Sequence, residues 1–325
     1  MMATRILPAA MVLVGVALGA VGLGVAQPYP NKLIKLILPY TPGSPNDVLA
    51  RLVAPHLSSR LGQTVVIDNR PGGGTAIGAK GVMTAEPDGY TLLFSNTPSH
   101  LIAPLVNKSF TYDPLKDFVP ISMIGSSSNV LVIAPSVPAQ SLRDFISYAK
   151  ANPGTLNFGF GQGTQPQLVG EMFKLAAGIN IASIPYRGGA QAITDLLAGR
   201  IHMNVGTVAT LLPLIREGRV RALAVTSTER SADLPEVPTM AESGLPNVTS
   251  VTYYGILGPA GMAADAVDRL NSDVNEILKL SELRASMTKL GFEPKGGSPR
   301  DFAALLTSDM QKWVPVVKAT GFQID

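Results

Sequence analysis

Short apolar runs alternate with helical patterns along most of the chain, and this alternation limits the possible folds more than any other feature. The first run is Lys32–Tyr40 (KLIKLILPY). A helical pattern follows from about Asp47 to Leu61, with Leu49, Val53 and Leu57 on one face. Strands joined by helices in this way form parallel sheets with helices packed on their faces. The sequence therefore predicts an α/β protein.

The same alternation continues to the C-terminus. It predicts further strands at Thr64–Asp68, Tyr90–Ser95, Val119–Ile124, Val130–Ala134, Leu156–Phe160, Ile181–Tyr186, Ile201–Val205, Arg221–Thr226 and Val251–Leu257. It predicts further helices at Thr75–Ala85, Ser141–Ala151, Thr164–Ala177, Gly189–Ala198, Thr207–Arg216, Ala264–Leu280 and Pro299–Thr320. The Pro- and charge-rich segment Ser227–Asn247 is expected to be a long surface connection.

The N-terminus has the pattern of a secretory signal peptide. Arg5 is the only charged residue among the first 31, an apolar stretch runs from Ile6 to Val25, and Ala26 ends a small-residue cleavage signal. An uncleaved membrane anchor is the alternative, because the stretch approaches the roughly 20 residues that span a bilayer. The prolines that follow, and the lack of a basic stop-transfer cluster, favour cleavage near Ala26 and a periplasmic protein.

Chain length indicates two domains. Removal of the first 26 residues leaves 299 of 325, more than a single hydrophobic core usually supports. The late return of a strand and two helices suggests that the C-terminus packs back onto the first domain. Two strand crossings, near residues 119–133 and 249–257, would then form a hinge.

Composition excludes several partners and cofactors. The 26 basic and 23 acidic residues become 25 and 23 without Arg5, and a net charge of +2 is too balanced for nucleic acid or an anionic membrane surface. The chain has no cysteine, which excludes disulfides, thiolate metal sites and lipid attachment at cysteine. No metal-ligand motif is present either. We expect no metal, no cofactor and a monomer.

The three histidines give little support for catalysis. His56 lies in a helical pattern and His202 in a strand, where structural roles explain them. His100 follows Ser99 at a strand-to-helix turn, but no G-x-S-x-G elbow and no placed acid accompany the pair. The sequence therefore predicts a protein without catalytic activity. An exported esterase that uses Ser99 and His100 is the alternative.

The glycine-rich turns do not match nucleotide-binding motifs. Gly159–Gly163 joins a strand to a helix, but Thr164 replaces the last glycine of the dinucleotide fingerprint and no acid stands near residue 180. Gly72–Gly74 is not followed by the Gly-Lys-Ser/Thr of a phosphate-binding loop. Nucleotide binding is not expected.

Five strand-to-helix junctions consist mainly of small or hydroxyl residues. Because the carboxyl ends of parallel strands share one edge of a sheet, these turns would form a common rim. Bare main-chain amides and helix N-termini hold an anion without basic side chains, and Arg187 is the only basic residue in the turns. For any single turn, glycine that merely supplies a positive φ is the alternative. The junctions are Thr41–Asp47, Asn96–Ser99, Gly161–Gln165, Tyr186–Ala190 and Gly206–Thr207.

At these junctions the sequence resembles the receptors of the tripartite tricarboxylate transporter family, the Bug or TctC type. The similarity runs through nearly the whole chain after the N-terminal segment, and the order of its markers is more specific than any one of them. The markers are Tyr29–Pro30, Ile37–Tyr40, Pro42–Gly43 with Asp47, Asn69–Gly72, Pro87–Leu93, Tyr112–Phe118, Pro185–Gly188, Asp195–Gly199, Arg221–Thr226 and Gly255–Gly261.

The resemblance implies an α/β fold of the two-lobed type II periplasmic-binding-protein class. Each lobe has a mainly parallel sheet flanked by helices, and crossing strands form the hinge. After a signal peptide at 1–26, lobe 1 would comprise 27–125 and 251–325, and lobe 2 would comprise 126–250. The implied function is extracytoplasmic capture of a small carboxylate and its delivery to the permease subunits of a tripartite tricarboxylate transporter. A ligand-sensing subunit of a signalling system is the alternative.

The resemblance also implies a binding site between the lobes. One ligand carboxylate would lie between the first strand-to-helix turn and the Gly-x-Gly-Thr turn, and the remaining turns would hold the rest of the ligand. The ligand-binding residues implied are Tyr40, Thr41, Ser44, Asn46, Asp47, Thr97, Gly161, Gly163, Thr164, Gln165, Tyr186, Arg187, Gly188, Gly189, Ala190 and Thr207.

The chain departs from the family pattern in the turns themselves. The first turn reads Gly43–Asn46 where Pro-Gly-Gly is usual, and Pro45 removes one amide donor. Gln167 replaces a usual His and Gly206 a frequent Asp, so one partner for a ligand ammonium group is missing. We therefore expect a dicarboxylate rather than an amino acid, with specificity set in the first turn. Asp47 would repel an anion and is expected to stabilise the turn.

Overall fold

The computed structural model describes residues 29–108, 110–162 and 164–320, without the side chains of 319 and 320. The strands are β1 Ile34–Leu38, β2 Val65–Asn69, β3 Thr91–Asn96, β4 Phe118–Ile133, β5 Asn157–Gly161, β6 Ala182–Tyr186, β7 Met203–Thr207, β8 Arg221–Val225, β9 Val251–Pro259 and β10 Glu293–Pro294. The helices are α1 Pro45–Leu61, α2 Ala76–Met83, α3 Ala103–Val106, α4 Leu142–Ala151, α5 Gln165–Ala177, α6 Gly189–Leu197, α7 Val208–Arg216, α8 Ala264–Ile277, α9 Ser281–Lys289 and α10 Pro299–Thr320.

A mixed sheet runs through the molecule in the order β2-β1-β3-β9-β4-β7-β5-β6, and β8 and β10 also pair with β4. β1 is parallel to β2 and β3, and β5 is parallel to β6 and β7. β4 and β9 are antiparallel to each other and to their other neighbours. The predicted α/β class is confirmed: each half of the sheet has a parallel centre, and the antiparallel strands join the halves.

β4 is a single strand of 16 residues. The sequence predicts two strands here, Val119–Ile124 and Val130–Ala134, because Gly125 and the serines after it break the apolar pattern. That separation is wrong. β4 pairs with β9 through Ser128 and continues with β7 and β8 from Asn129 onward. A Cβ at Gly125 would lie 2.8 Å from the main-chain oxygen of Glu293, so the glycine permits close packing of β10 and does not end the strand.

Separate hydrophobic cores occupy the two halves of the sheet, which we call the first and second lobes. The first lobe contains β1, β2, β3, β9, β10 and the start of β4, and the second contains β5 to β8 and the end of β4. Helix α10 joins both: Phe302 and Leu306 pack in the first lobe, whereas Trp313 packs with the core of the second. The residue boundaries stated above for the lobes stay a prediction.

The connection between α9 and β10 brings the lobes into close contact. Neither element is predicted from the sequence, since the helical pattern does not separate α9 from α8. Gly291 lies in this connection and has φ +78°. A Cβ at this position would lie 2.8 Å from Cα of Ala209, in α7 of the second lobe. Only glycine fits this approach of backbone to backbone without a shift.

We expect Gly291→Ala to lower the free energy of unfolding by about 2–4 kcal/mol, because left-handed strain and a clash with α7 add together. Gly62→Ala is the matched control: Gly62 has φ +67° and open space around its Cα, so strain alone should cost about 1–2 kcal/mol. Urea denaturation of both variants measures the difference. Equal losses would mean that the contact with α7 is unimportant.

Candidate functional site

The turn between β1 and α1 is held by the carboxylate of Asp47. Its Oδ2 accepts hydrogen bonds from the Gly43 amide at 2.9 Å and from Arg51 Nε at 2.8 Å, and its Oδ1 accepts one from Asn69 at 3.0 Å. Ser44 is the N-cap of α1, and its Oγ accepts from the Asp47 amide. Asp47 is thus a buried residue that stabilises the turn, as its chemistry predicts, and both of its carboxylate oxygens accept hydrogen bonds from the protein.

These partners also set the ionisation of Asp47. Burial alone would raise its pKa, but the hydrogen bonds from Arg51, Gly43 and Asn69 and the charge of Arg51 outweigh it and lower the pKa to about 2. The carboxylate therefore stays ionised at neutral pH and keeps the turn closed around it.

A chain of side-chain hydrogen bonds crosses from this turn to the end of β3. The Tyr40 hydroxyl donates to Asn96 Oδ1 at 2.8 Å, and Asn96 Nδ2 donates to Asn46 Oδ1 at 2.8 Å. Burial raises the pKa of Tyr40 to about 12, so the hydroxyl remains a donor. Asn46 is 1% exposed, and its Nδ2 has no hydrogen-bond acceptor within the described part of the chain. A buried amide donor without an acceptor is costly unless a ligand supplies one.

The turns after β5 and β6 touch each other in the second lobe. The Gln162 amide donates to the Tyr186 carbonyl at 2.9 Å, and a Cβ at Gly161 would lie 2.9 Å from the Gly189 nitrogen. The Thr164 hydroxyl donates to the Gly161 carbonyl at 2.7 Å. Gly163 lies outside the described residues. These contacts bring the starts of α5 and α6 together, so that the main-chain amides of two helix N-termini share one region.

Two of the predicted side chains in the second lobe are used within the protein. The Tyr186 hydroxyl donates to Asp195 Oδ2 at 2.7 Å, and Arg200 holds the other oxygen of Asp195. Gln165 is buried and bonds to β9. Arg187, in contrast, is exposed, and no carboxylate pairs with it among the residues that the structure describes. It is the cation of this turn, beside Gly188, Gly189 and Ala190 at the start of α6.

The last two predicted positions lie at the ends of β3 and β7. Thr97 is 2% exposed, and its Oγ1 accepts from the Tyr253 amide at 3.1 Å. Thr207 is the N-cap residue of α7, and its hydroxyl shares a hydrogen bond with Thr210 at 2.9 Å. Thr41 lies exposed in the first turn. The predicted residues of each lobe therefore lie on that lobe's strand ends, while their ligand contacts stay a prediction.

Asn96 and Asn69 belong to the site but are missing from the sequence-based set of ligand-binding residues. Each ends a parallel strand, β3 or β2, and each fixes a partner in the first turn: Asn96 holds Asn46, and Asn69 holds Asp47. A polar amide as the last residue of a strand, at the edge where the turns converge, is the signal that could have identified both.

A cavity of about 420 Å³ lies beside the hinge strands but contains none of the predicted ligand-binding residues. It is lined by Ser126–Ser128, by the loop Ser227–Asp233 and by the connection Thr288–Lys295. Its charged side chains are largely paired with one another or with neighbours, as in Lys295 with Glu293. The strand-end turns, with their unpaired donors, are the better candidate for an anion site.

Comparison with known proteins decides the family. The family model described as "Tripartite tricarboxylate transporter family receptor" matches residues 49–322. Protein BugT of Bordetella pertussis is 35% identical over 97% of this chain and 98% of its own length. The chain belongs to the receptors of the tripartite tricarboxylate transporter family.

Solved structures of similar receptors agree with the fold. The R. palustris protein Rpa4515 with adipate is 34% identical, with a TM-score of 0.82 over 91% of this chain and 99% of its own. MatC (Rpa3494) from Rhodopseudomonas palustris with bound malate is 27% identical, with a TM-score of 0.79 over 89% of this chain and 100% of its own. The two-lobed periplasmic-binding-protein fold expected from the resemblance is confirmed.

Receptors of this family bind solutes and are not enzymes, which excludes the esterase alternative. The geometry of Ser99 and His100 agrees. The Ser99 hydroxyl lies 2.6 Å from that of Ser95, and His100 Nε2 lies 2.9 Å from the Pro114 carbonyl. Burial lowers the pKa of His100 to about 4, so the ring is a neutral core residue against Phe118.

Receptors of this family are periplasmic. Among the helices that the structure describes, none is long and apolar enough to cross a membrane. The predicted signal peptide at 1–26, with cleavage near Ala26, lies outside the described residues.

We expect Asp47→Asn to lower the free energy of unfolding at pH 7 by about 1–2 kcal/mol. A carboxyl whose folded pKa is about 2, below its ordinary 3.8, stabilises the protein above pH 3.8 and loses this effect as the pH falls toward 2. The difference from the unchanged protein should therefore shrink between pH 5 and pH 2 in urea denaturation. Asp268→Asn, at an exposed position of α8, should change stability by less than about 0.5 kcal/mol. A constant difference across this pH range would contradict the account.

Proposed function

We propose that this receptor captures a small dicarboxylate between its lobes and delivers it to the permease subunits of a tripartite tricarboxylate transporter. The observation that carries the proposal is the buried Asn46 Nδ2, which has no acceptor among the described residues. A carboxylate oxygen supplies that acceptor. The adipate and malate of the two similar receptors are both dicarboxylates, which supports the same ligand class for this chain.

The first carboxylate of the ligand lies between the first turn and the start of α5. Asn46 provides a side-chain donor from the first lobe, and Thr41 and Ser44 flank it. The second lobe provides the main-chain amides at the start of α5, those of Thr164 and Gln165 among them, and the positive end of the α5 dipole. Such donors hold an anion in a site with little basic charge.

The second carboxylate pairs with Arg187. This guanidinium is exposed in the turn after β6 of the second lobe, and closure of the lobes would bring it toward the ligand. A planar guanidinium binds a carboxylate through two parallel hydrogen bonds. Gly188, Gly189 and Ala190 add the amides of the α6 N-terminus, and Thr97 and Thr207 border the site.

An amino acid would be a poorer ligand because its ammonium group needs an acceptor. The two carboxylates closest in sequence to these turns are occupied, Asp47 by three donors and Asp195 by Tyr186 and Arg200. Gly206 stands where relatives often have an acid. A desolvated ammonium without a partner would cost several kcal/mol.

Thermal unfolding with a panel of mono-, di- and tricarboxylates tests ligand binding. A ligand at 100 times its dissociation constant should stabilise the protein by about 2.7 kcal/mol. Asn46→Leu keeps the branched shape of the side chain but removes the donor, and should cost about 1.5–3 kcal/mol of binding free energy. Any co-purified ligand is first removed by unfolding and refolding. A panel without any stabilising carboxylate would refute the proposal.

The role of Arg187 is tested by comparing adipate with hexanoate, which lacks the second carboxylate. We expect Arg187→Gln to weaken adipate binding by about 1–2 kcal/mol and to leave hexanoate binding unchanged. Arg143→Gln, at an exposed position of α4, is the matched control and should affect neither. Isothermal titration calorimetry measures the affinity of each variant, and of the unchanged protein, for both ligands. Equal losses of binding free energy for both ligands would mean that Arg187 does not bind the second carboxylate.

Delivery to a permease and export are further parts of the proposal. Deletion of the gene should abolish uptake of the ligand by whole cells; normal uptake would contradict a transport role. Export with cleavage near Ala26 predicts a mature protein whose mass corresponds to a chain that begins at Gln27. We also propose that the receptor is a monomer, which sedimentation in the ultracentrifuge checks.

A further inference from the structure

Near the hinge, strand β9 has an edge that no other strand covers within the described part of the chain. β3 pairs with β9 only as far as Asn96 opposite Tyr254. Alternate residues of a strand direct their backbone groups to the same edge, so the Tyr253 N–H and the Val251 carbonyl need other partners there. Side chains supply both: the Tyr253 amide donates to Thr97 Oγ1 at 3.1 Å, and Gln165 Nε2 donates to the Val251 carbonyl at 3.2 Å.

Both ends of the Gln165 side-chain amide bond to this strand. Its Nε2 donates to the Val251 carbonyl, and its Oε1 accepts from the Thr252 hydroxyl at 2.5 Å. Gln165 is 0% exposed and Thr252 1%. The amide is thus buried against β9, although Gln165 stands at the start of α5, in the turn that would bind the carboxylate.

The two side chains on this edge come from different lobes. Thr97 follows β3 in the first lobe, and Gln165 begins α5 in the second. Both belong to turns of the candidate ligand site, and both bind within Val251–Tyr253. This short segment of β9 is paired on its other edge with Ser126–Ser128 of β4, where the chain passes between the lobes. One piece of hinge strand therefore holds a ligand turn of each lobe.

We propose that Gln165 is a positioning residue that ties the ligand turn of the second lobe to the hinge and so sets the angle between the lobes. Its two hydrogen bonds fix the start of α5 relative to β9, as Thr97 fixes the end of β3. A shift of the second-lobe turn on ligand binding is transmitted to β9 through the Gln165 amide. The part concerning ligand affinity rests on the proposed function; the part concerning the lobe angle does not.

The lobe angle is measurable without ligand by electron spin resonance distance measurements. The natural chain has no cysteine, so spin labels attach only where cysteines are introduced. Ser59→Cys on α1 and Lys150→Cys on α4 place one label on an exposed helix of each lobe. Gln165→Met removes both hydrogen bonds at similar volume, and Thr252→Val removes one. Thr252→Ser keeps the hydroxyl and should behave as the unchanged protein.

We expect Gln165→Met and Thr252→Val to broaden or shift the distribution of distances between the labels. The matched control is Asn204→Leu, which removes a buried hydrogen bond inside the second lobe, away from β9. In the unchanged protein Asn204 Nδ2 donates this bond to the Gly159 carbonyl at 2.7 Å. This control should lose stability but keep the distance distribution. Adipate binding, where present, should weaken about tenfold in Gln165→Met, within the usual range of coupling between sites.

An unchanged distribution in both Gln165→Met and Thr252→Val would overturn the proposal, as would an equal change in Asn204→Leu. If Gln165→Met fails to fold, Thr252→Val with its Thr252→Ser counterpart decides the question. A changed distribution in a protein that binds no carboxylate would support the hinge role of Gln165 while refuting the proposed function, so the two failures are distinguishable.

Discussion

The antiparallel pairing of β4 with β9 is the interaction on which the rest of the structure depends. β4 passes from the first lobe to the second. β9 pairs on its remaining edge with β3 of the first lobe, and the end of β4 pairs with β7 and β8 of the second. The side chains at the crossing are buried but polar, among them Ser127, Asn129 and Thr252. A buried polar network that is satisfied by hydrogen bonds rigidifies its surroundings and specifies one arrangement. The polar contacts at the crossing therefore fix how the two lobes join.

The ligand site follows from this arrangement. Because the parallel strands of each lobe end toward the crossing, their turns and helix N-termini collect there. Several side chains of these turns hold the turns in shape. Asp47 is the clearest case: its carboxylate accepts hydrogen bonds from Gly43, Arg51 and Asn69, which lower its pKa to about 2. The negative charge is therefore paired within the first lobe.

Much of this could be predicted from the sequence, since it depends on local rules. Strand–helix alternation predicts the fold class, the apolar face of Leu49, Val53 and Leu57 predicts α1, and the ordered turns identify the family. The continuity of β4 could not be predicted, because Gly125 and its neighbouring serines resemble a break. Their burial depends on β9 and β10, which are more than a hundred residues away. The amides of Asn96 and Asn69 were missed although each ends a strand, because their partners Asn46 and Asp47 lie in another turn.

The sequence by itself determined most of the elements, the turns at their ends and the family, because periodicity, capping and glycine placement act over a few residues. Only the tertiary structure decided which polar side chains of these turns bond within the protein. Gln165 and Tyr186 stand in turns that the sequence assigns to the ligand, yet their polar atoms bind β9 and Asp195. A side chain's partner depends on what folding places beside it, and distant residues decide that.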